Sequence, residues 1–193
     1  LRLTGTGRAA GSVAELVEER VRLLYSTIPD LIYGEEGETL EMAVGRLLRE
    51  RGKKLGTAES CTGGNIARLI TSVPGSSYYF TGSVVSYANS VKTKLLGVDD
   101  KLIENHGAVS EPVVIAMAEG ARTLLSADYA VATSGIAGPD GGTESKPVGT
   151  LWTAVSSASG TKAEMHTFGA DRLTNINRFS NVALNMLRKQ ILR

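Results

Sequence analysis

Two hydrophobic periods alternate along the chain. Between Ser12 and Pro29 the apolar residues Val13, Leu16, Val17, Val21 and Leu24 return at helical spacing, and Ser12 with Glu15 forms a capping-box pattern ahead of them. This stretch predicts one amphipathic helix that ends near Pro29. Before it, Leu1 to Thr4 alternates like the end of a strand, and Gly5, Gly7 and Gly11 suggest a loose turn. After it, Gly34-Glu35-Glu36-Gly37-Glu38 reads as a solvated linker.

From Thr39 onward, helical stripes and short apolar runs take turns, the signature of a layered α/β domain. Leu40, Val44, Leu47 and Leu48 share a helical face that stops by Gly52. Lys54 to Ala58 is a strand candidate; it runs into the polar turn Glu59-Ser60-Cys61-Thr62-Gly63-Gly64 and then a helix through Ala67, Leu69 and Ile70. Ser83 to Tyr87 is a second strand, with Asn89 as the cap of a short helix carrying Lys92 and Lys94. Ser110-Glu111-Pro112 opens a helix that reaches about Leu125, with Asp128 marking the end of the segment. Tyr129 to Thr133 is a buried strand that breaks at a glycine-rich loop from Ser134 to Gly142. Strands at Thr150 to Val155 and Ala163 to Phe168 precede a final helix from about Leu173 to Leu192.

Composition then removes several classes of partner. Lys and Arg total 21 against 20 Asp and Glu, a net charge of +1 over 193 residues, so no broad basic face exists to follow a nucleic-acid backbone. No apolar run approaches the roughly 18 residues needed to cross a bilayer, and no membrane is expected as a partner. The single cysteine, Cys61, excludes an internal disulfide and a multi-cysteine zinc site. Leu1-Arg2-Leu3 opens the chain without Met and without the features of a secretory signal. The expectation is a cytoplasmic fragment or trimmed product.

Chemistry concentrates at the Ser60 turn, because a hydroxyl between a strand end and a helix start is a common place for a nucleophile or an anion site. Gly63 and Gly64 let backbone N–H groups approach a ligand, and a helix N-terminus adds partial positive charge. The competing reading is plain capping by Ser60 or Thr62. A serine nucleophile needs a base. His106 lies at a helix end and His166 on the polar face of an alternating strand, so neither has an evident orienting partner. Lys92 fits better: it follows the second strand by one turn and would emerge at the same sheet edge as Ser60, where burial would lower its pKa. Tyr87 is a candidate proton relay or a packed aromatic, and Cys61 a candidate nucleophile or core filler. The loop from Gly135 to Gly142 could wall a ligand, but Lys146 lacks the step of a Walker A loop. Gly5-Thr6-Gly7 is a weak dinucleotide signal because Ala10 stands where the third glycine belongs. Arg172 could clamp a phosphate or pair with Asp171.

The blocks Thr57 to Gly64, Val85 to Lys92, Gly107 to Val113, Ser134 to Gly142, Lys146 to Thr150 and Asp171-Arg172 together resemble the C-terminal domain of the CinA (competence/damage-inducible) family, including its stand-alone nicotinamide mononucleotide amidohydrolases. They run in order over roughly residues 40 to 190. The resemblance implies hydrolysis of the nucleotide's carboxamide to the acid and ammonia, with no metal and no cofactor. By the same resemblance Ser60 is the nucleophile, Lys92 its general base and Tyr87 a helper. N–H groups near Thr62, Gly63 and Gly64 would hold the oxyanion; Gly135, Ile136, Ala137 and Gly138 would form part of the nucleotide pocket, and Arg172 would contact phosphate. Residues 1–38 look like the remnant of a preceding linker or middle region, and residues 39–193 like the amidohydrolase-like domain. The expected architecture is a three-layer α/β/α sandwich with a central mixed sheet, preceded by a short helical appendage; a homo-oligomer, most simply a dimer, is implied. The alternative is a non-catalytic nucleotide-binding or regulatory module of a larger protein. A cysteine hydrolase using Cys61 is the third reading.

Overall fold

The computed structural model describes residues 3–7, 10–169 and 171–193. The chain divides into two compact units, Leu1–Glu38 and Thr39–Arg193. The first holds helix α1, Ala10–Thr27, and a single 3-10 turn at Pro29–Leu31. Ser12 lies inside α1, so the capping-box pattern does not mark the start of the helix. The expected strand end begins on Leu1 and Arg2, outside the described residues, while Leu3 and Thr4 have no regular structure.

The second unit runs α2 (Leu40–Glu50), β1 (Leu55–Glu59), α3 (Asn65–Thr71), β2 (Phe80–Val85), α4 (Asn89–Leu96), α5 (Asp100–His106) and α6 (Glu111–Leu124). It continues through β3 (Tyr129–Gly135), β4 (Thr150–Ser157), β5 (Gly160–Thr167) and α7 (Arg172–Leu192). The five strands form one sheet in the order β2-β1-β3-β4-β5. β1 is parallel to both β2 and β3, whereas β3–β4 and β4–β5 are antiparallel. The expected mixed sheet and α/β sandwich are therefore present.

Strand alternation sorts the core into two layers. Leu55, Val131 and Val155 face α2, α3 and α7, where Val44, Leu48, Ile66, Ile70, Leu184 and Leu187 are fully buried. Ala58, Ala130, Ala132 and Ala154 face the other way, and their small side chains let α6 approach through Val113, Val114, Met117 and Ala121. All five residues of β1 are buried, as a central strand covered on both faces requires.

β2 departs from expectation: it occupies Phe80–Val85 rather than Ser83 to Tyr87. Leu55 pairs with Phe80 and Gly56 with Gly82, an irregularity that absorbs Thr81. Ser86 still donates its N–H to the Glu59 carbonyl at 2.8 Å, after which the chain turns out of the sheet. That early exit delivers Tyr87 and α4 to the sheet edge.

Candidate active site

β2, β1 and β3 are parallel and end on one edge of the sheet; the chain leaves β1 into α3 on one face and β2 into α4 on the other. A crevice opens where such paths diverge, the usual ligand position in an open α/β sheet. A cavity of about 210 Å³ lies there. Ser60 and Cys61 come from the end of β1, Tyr87, Asn89 and Lys92 from the β2–α4 junction, Ser134, Gly135 and Ala137 from the end of β3, and Arg172 from the start of α7; Ala108 and Val109 complete the wall. A larger hollow of about 390 Å³ at the opposite edge contains none of the predicted residues. Its cations are engaged: Lys53 pairs with Asp128 at 3.0 Å, Lys54 Nζ donates to the Tyr78 carbonyl, and the Arg49 guanidinium lies over the Tyr78 ring.

Lys92 is 1 % exposed. Its Nζ donates to the Ser86 carbonyl at 2.9 Å and, over 3.4 Å each, to the Tyr87 carbonyl and Asn89 Oδ1. No carboxylate pairs with it among the described residues. Burial lowers its pKa from the ordinary 10.5, and the neighbouring Cys61 opposes this more weakly. Asn89 is thus not the cap of α4: Ala88 occupies that place, and Asn89, the first residue of the helix, turns its amide oxygen to Lys92 three positions on.

The Ser60 turn is closed from behind. Ser60 N–H extends the β1–β3 ladder to the Thr133 carbonyl at 3.0 Å, and its own carbonyl accepts from Gly63 N–H. Glu59, fully buried, accepts from Gly64 N–H and Ile66 N–H on Oε2 and from Ala67 N–H on Oε1. Asn65 N–H bonds to the Thr62 carbonyl. Every N–H from Gly63 to Ala67 is therefore occupied within the chain, and the anion at the head of α3 is the protein's own carboxylate rather than a ligand. Cys61 and Thr62 are the turn residues whose N–H groups meet no acceptor in neighbouring strands or loops among the described residues.

The remaining predicted residues separate into two groups. Gly135, Ala137 and Arg172 line the cavity, whereas Thr62, Gly63, Gly64, Ile136 and Gly138 do not. Thr62 is buried, with Oγ1 on Glu59 Oε2 at 2.7 Å and beside Thr133 Oγ1 at 2.8 Å. Gly63 and Gly64 turn the chain at φ of 60° and 96°, a region in which glycine carries no steric penalty. Ile136 is held by backbone bonds to Thr150 and Gly149. Arg172 donates to the Gly138 carbonyl at 2.7 Å and to Tyr87 Oη at 3.1 Å, so it clasps the glycine-rich loop to the β2–α4 junction instead of pairing with Asp171. Asp171 caps α7. Neither histidine reaches the cavity: His106 ends α5, with its carbonyl taking Lys146 Nζ at 2.8 Å, and His166 pairs with Glu164 on the edge strand β5. Burial pushes the Cys61 thiol up to about 12, which leaves it protonated at neutral pH. No group of three or more His, Cys, Asp or Glu suited to a metal occurs among the described residues, and no helix there is long and apolar enough to cross a membrane.

Comparison with known proteins places this geometry in a family. The profile of the CinA C-terminal domain matches residues 37–191. A CinA-like protein of Geotalea uraniireducens is 43% identical over the whole chain, and one of Parasynechococcus marenigrum 45%. The chain spans 46% of the length of each of these relatives. Among solved structures, a CinA superfamily protein from Klebsiella pneumoniae superposes with a TM-score of 0.77 at 34% identity, covering 79% of this chain and 96% of that one. The competence/damage inducible protein CihA from Agrobacterium tumefaciens gives 0.75 at 32%, covering 83% and 100%. With one profile spanning nearly all of its second unit and relatives aligned along its full length, the chain belongs to the CinA C-terminal domain family.

Proposed function

We propose that the domain hydrolyses the carboxamide of nicotinamide mononucleotide to nicotinate mononucleotide and ammonia through a serine–lysine mechanism. The observation that carries this reading is the meeting of Ser60 and Lys92 in one cavity, the lysine buried without a carboxylate and with a lowered pKa. Neutral Lys92 takes the Ser60 Oγ proton as the oxygen attacks the carboxamide carbon. The N–H group of Cys61, a residue of the cavity wall, is the turn donor best placed for the oxyanion, and one such donor is worth about 3 kcal/mol of barrier. Lys92 then returns the proton to the leaving nitrogen, ammonia departs, and a water activated by the same amine cleaves the acyl-serine. Tyr87 helps in the relay, Gly135 and Ala137 bound the nucleotide side of the pocket, and Arg172 is the contact for phosphate. Gly63 and Gly64 serve by shaping the turn. The reading calls for no metal or cofactor and suits a reducing cytoplasm; the homodimer it expects is tested by sedimentation velocity.

The second reading, a non-catalytic nucleotide-binding module, draws on the three oxygen acceptors around Lys92 Nζ, which favour the ammonium over the amine. One assay separates the two: ammonia release from nicotinamide mononucleotide by the full chain and by Ser60→Ala and Lys92→Ala. The amidase reading expects turnover to fall by about 1,000-fold or more in each variant, with nucleotide affinity retained in Ser60→Ala. A folded wild-type chain that binds the nucleotide and releases no ammonia selects the module.

A further inference from the structure

We propose that Glu59 is the positioning residue of the nucleophile turn, its buried carboxylate filling the anion position at the head of α3 and from there fixing Ser60 on the opposite face of the sheet. The inference rests on the amidase reading above. Successive strand residues point to opposite faces, and Glu59 shares the α3/α7 face with Thr133, its partner in the β1–β3 register. Ser60, one residue on, faces the cavity. Oε2 accepts from Thr62 Oγ1, Gly64 N–H and Ile66 N–H at 2.7, 3.1 and 3.0 Å, and Oε1 accepts from Ala67 N–H at 2.8 Å. The carboxylate therefore grips the chain two, four, six and seven residues beyond Ser60, while Ser60 N–H is tied to Thr133 and Glu59's carbonyl to Ser86. A turn held on both sides leaves the serine hydroxyl little freedom relative to Lys92. None of the partners of the Glu59 carboxylate lines the cavity, so Glu59 acts through Ser60 rather than on a substrate.

Glutamine at this position keeps the volume but accepts through one oxygen. With that oxygen turned to Thr62, Gly64 and Ile66, its NH₂ meets Ala67 N–H, donor against donor. The turn must relax, and displacement of a reacting group by 1 Å costs on the order of 100-fold in rate. In the full chain, Glu59→Gln is expected to lower kcat for ammonia release about 100-fold with KM changed less than about threefold, and to melt cooperatively. Val44→Ala, which opens a void beneath α2, is the stability control: it lowers the melting temperature and leaves kcat unchanged. Hydrogen exchange at the Ser60 N–H, which donates to the Thr133 carbonyl at 3.0 Å, gives a readout independent of turnover, because loosening of the turn should speed it. Wild-type kcat in Glu59→Gln overturns the positioning role and leaves the Ser60 reading standing. Loss of kcat only in step with melting temperature, as a plain stability defect would give, also overturns it. A folded wild-type chain without turnover overturns the amidase reading instead; hydrogen exchange then decides, equal Ser60 N–H rates in wild type and Glu59→Gln removing the positioning role and a faster rate in the variant upholding it.

Discussion

In the proposed serine–lysine mechanism the chemistry turns on Lys92, and its titration makes two connected predictions. Burial lowers its folded pKa below 10.5, so the amine is freed at a pH where a solvated lysine is still charged. The rate of ammonia release should climb with pH through that lowered pKa and level off before 10.5; Lys92→Arg, which cannot deprotonate, should be inactive throughout. Stability follows the same linkage. Between the lowered folded pKa and 10.5 the unfolded chain binds a proton that the folded chain does not, so this group's contribution rises with pH across that window. Lys92→Met removes the titration and leaves bare carbonyls as a constant offset. Urea melts over a pH series should then show the stability gap between wild type and Lys92→Met moving in favour of wild type as pH rises through the window. A gap independent of pH would mean that burial does not perturb Lys92. Cys61, pushed up to about 12, should alkylate slowly at neutral pH and should not account for activity; rapid inactivation by iodoacetamide would revive the cysteine reading.

At the level of elements, the lysine is placed by one close crossing. A Cβ at Gly120 of α6 would run into the carbonyl of Leu96, the last residue of α4, with the Leu96 Cα at 3.0 Å. In an exposed helix a glycine-to-alanine change gains about 1 kcal/mol of helix propensity. Here the neighbour is backbone and must move, so Gly120→Ala should instead destabilise by about 1–3 kcal/mol and lower kcat, because α4 carries Lys92 one turn before Leu96. Urea melts with kinetics check both; a stabilised variant with unchanged kcat would show that α4 is free to shift. The same elements show what a single sequence discloses. α2, α6 and α7 were readable because their apolar residues return every three or four positions and proline or a polar residue marks a start. β2 begins earlier than the sequence pattern predicts because Phe80-Thr81-Gly82 has no alternation of its own, and only pairing with β1 makes it a strand. Ser60, Lys92 and Tyr87 could be named from residue type and spacing. Glu59 was not, since an acid at a strand end looks like the start of a solvated turn; the only local hint was its place ahead of a serine, a threonine three residues on and a helix start, the arrangement of a cap made from outside the helix.

For the molecule as a whole, the question is which part of the chain carries the fold. All three hydrophobic clusters draw their residues from Leu40 to Ile191, and no described residue before Thr39 is buried. α1 is an 18-residue helix with no buried side chain among its described residues, whereas most helical stability in proteins comes from packing an amphipathic face. The second unit, by contrast, contains the whole sheet, both helical layers and every residue of the cavity. A chain trimmed to begin at Thr39 is therefore expected to fold cooperatively and to melt within about 4 °C of the full chain, the shift that about 1 kcal/mol produces in a domain of this size. It should also keep kcat for ammonia release within about threefold, because no group acting on the reacting atoms is lost. Scanning calorimetry and steady-state kinetics on the two chains test this. A large fall in melting temperature with intact chemistry would make the first unit part of the stable fold. An intact fold with lost turnover would mean that residues before Thr39 complete the site, and the serine–lysine constellation would then be insufficient by itself.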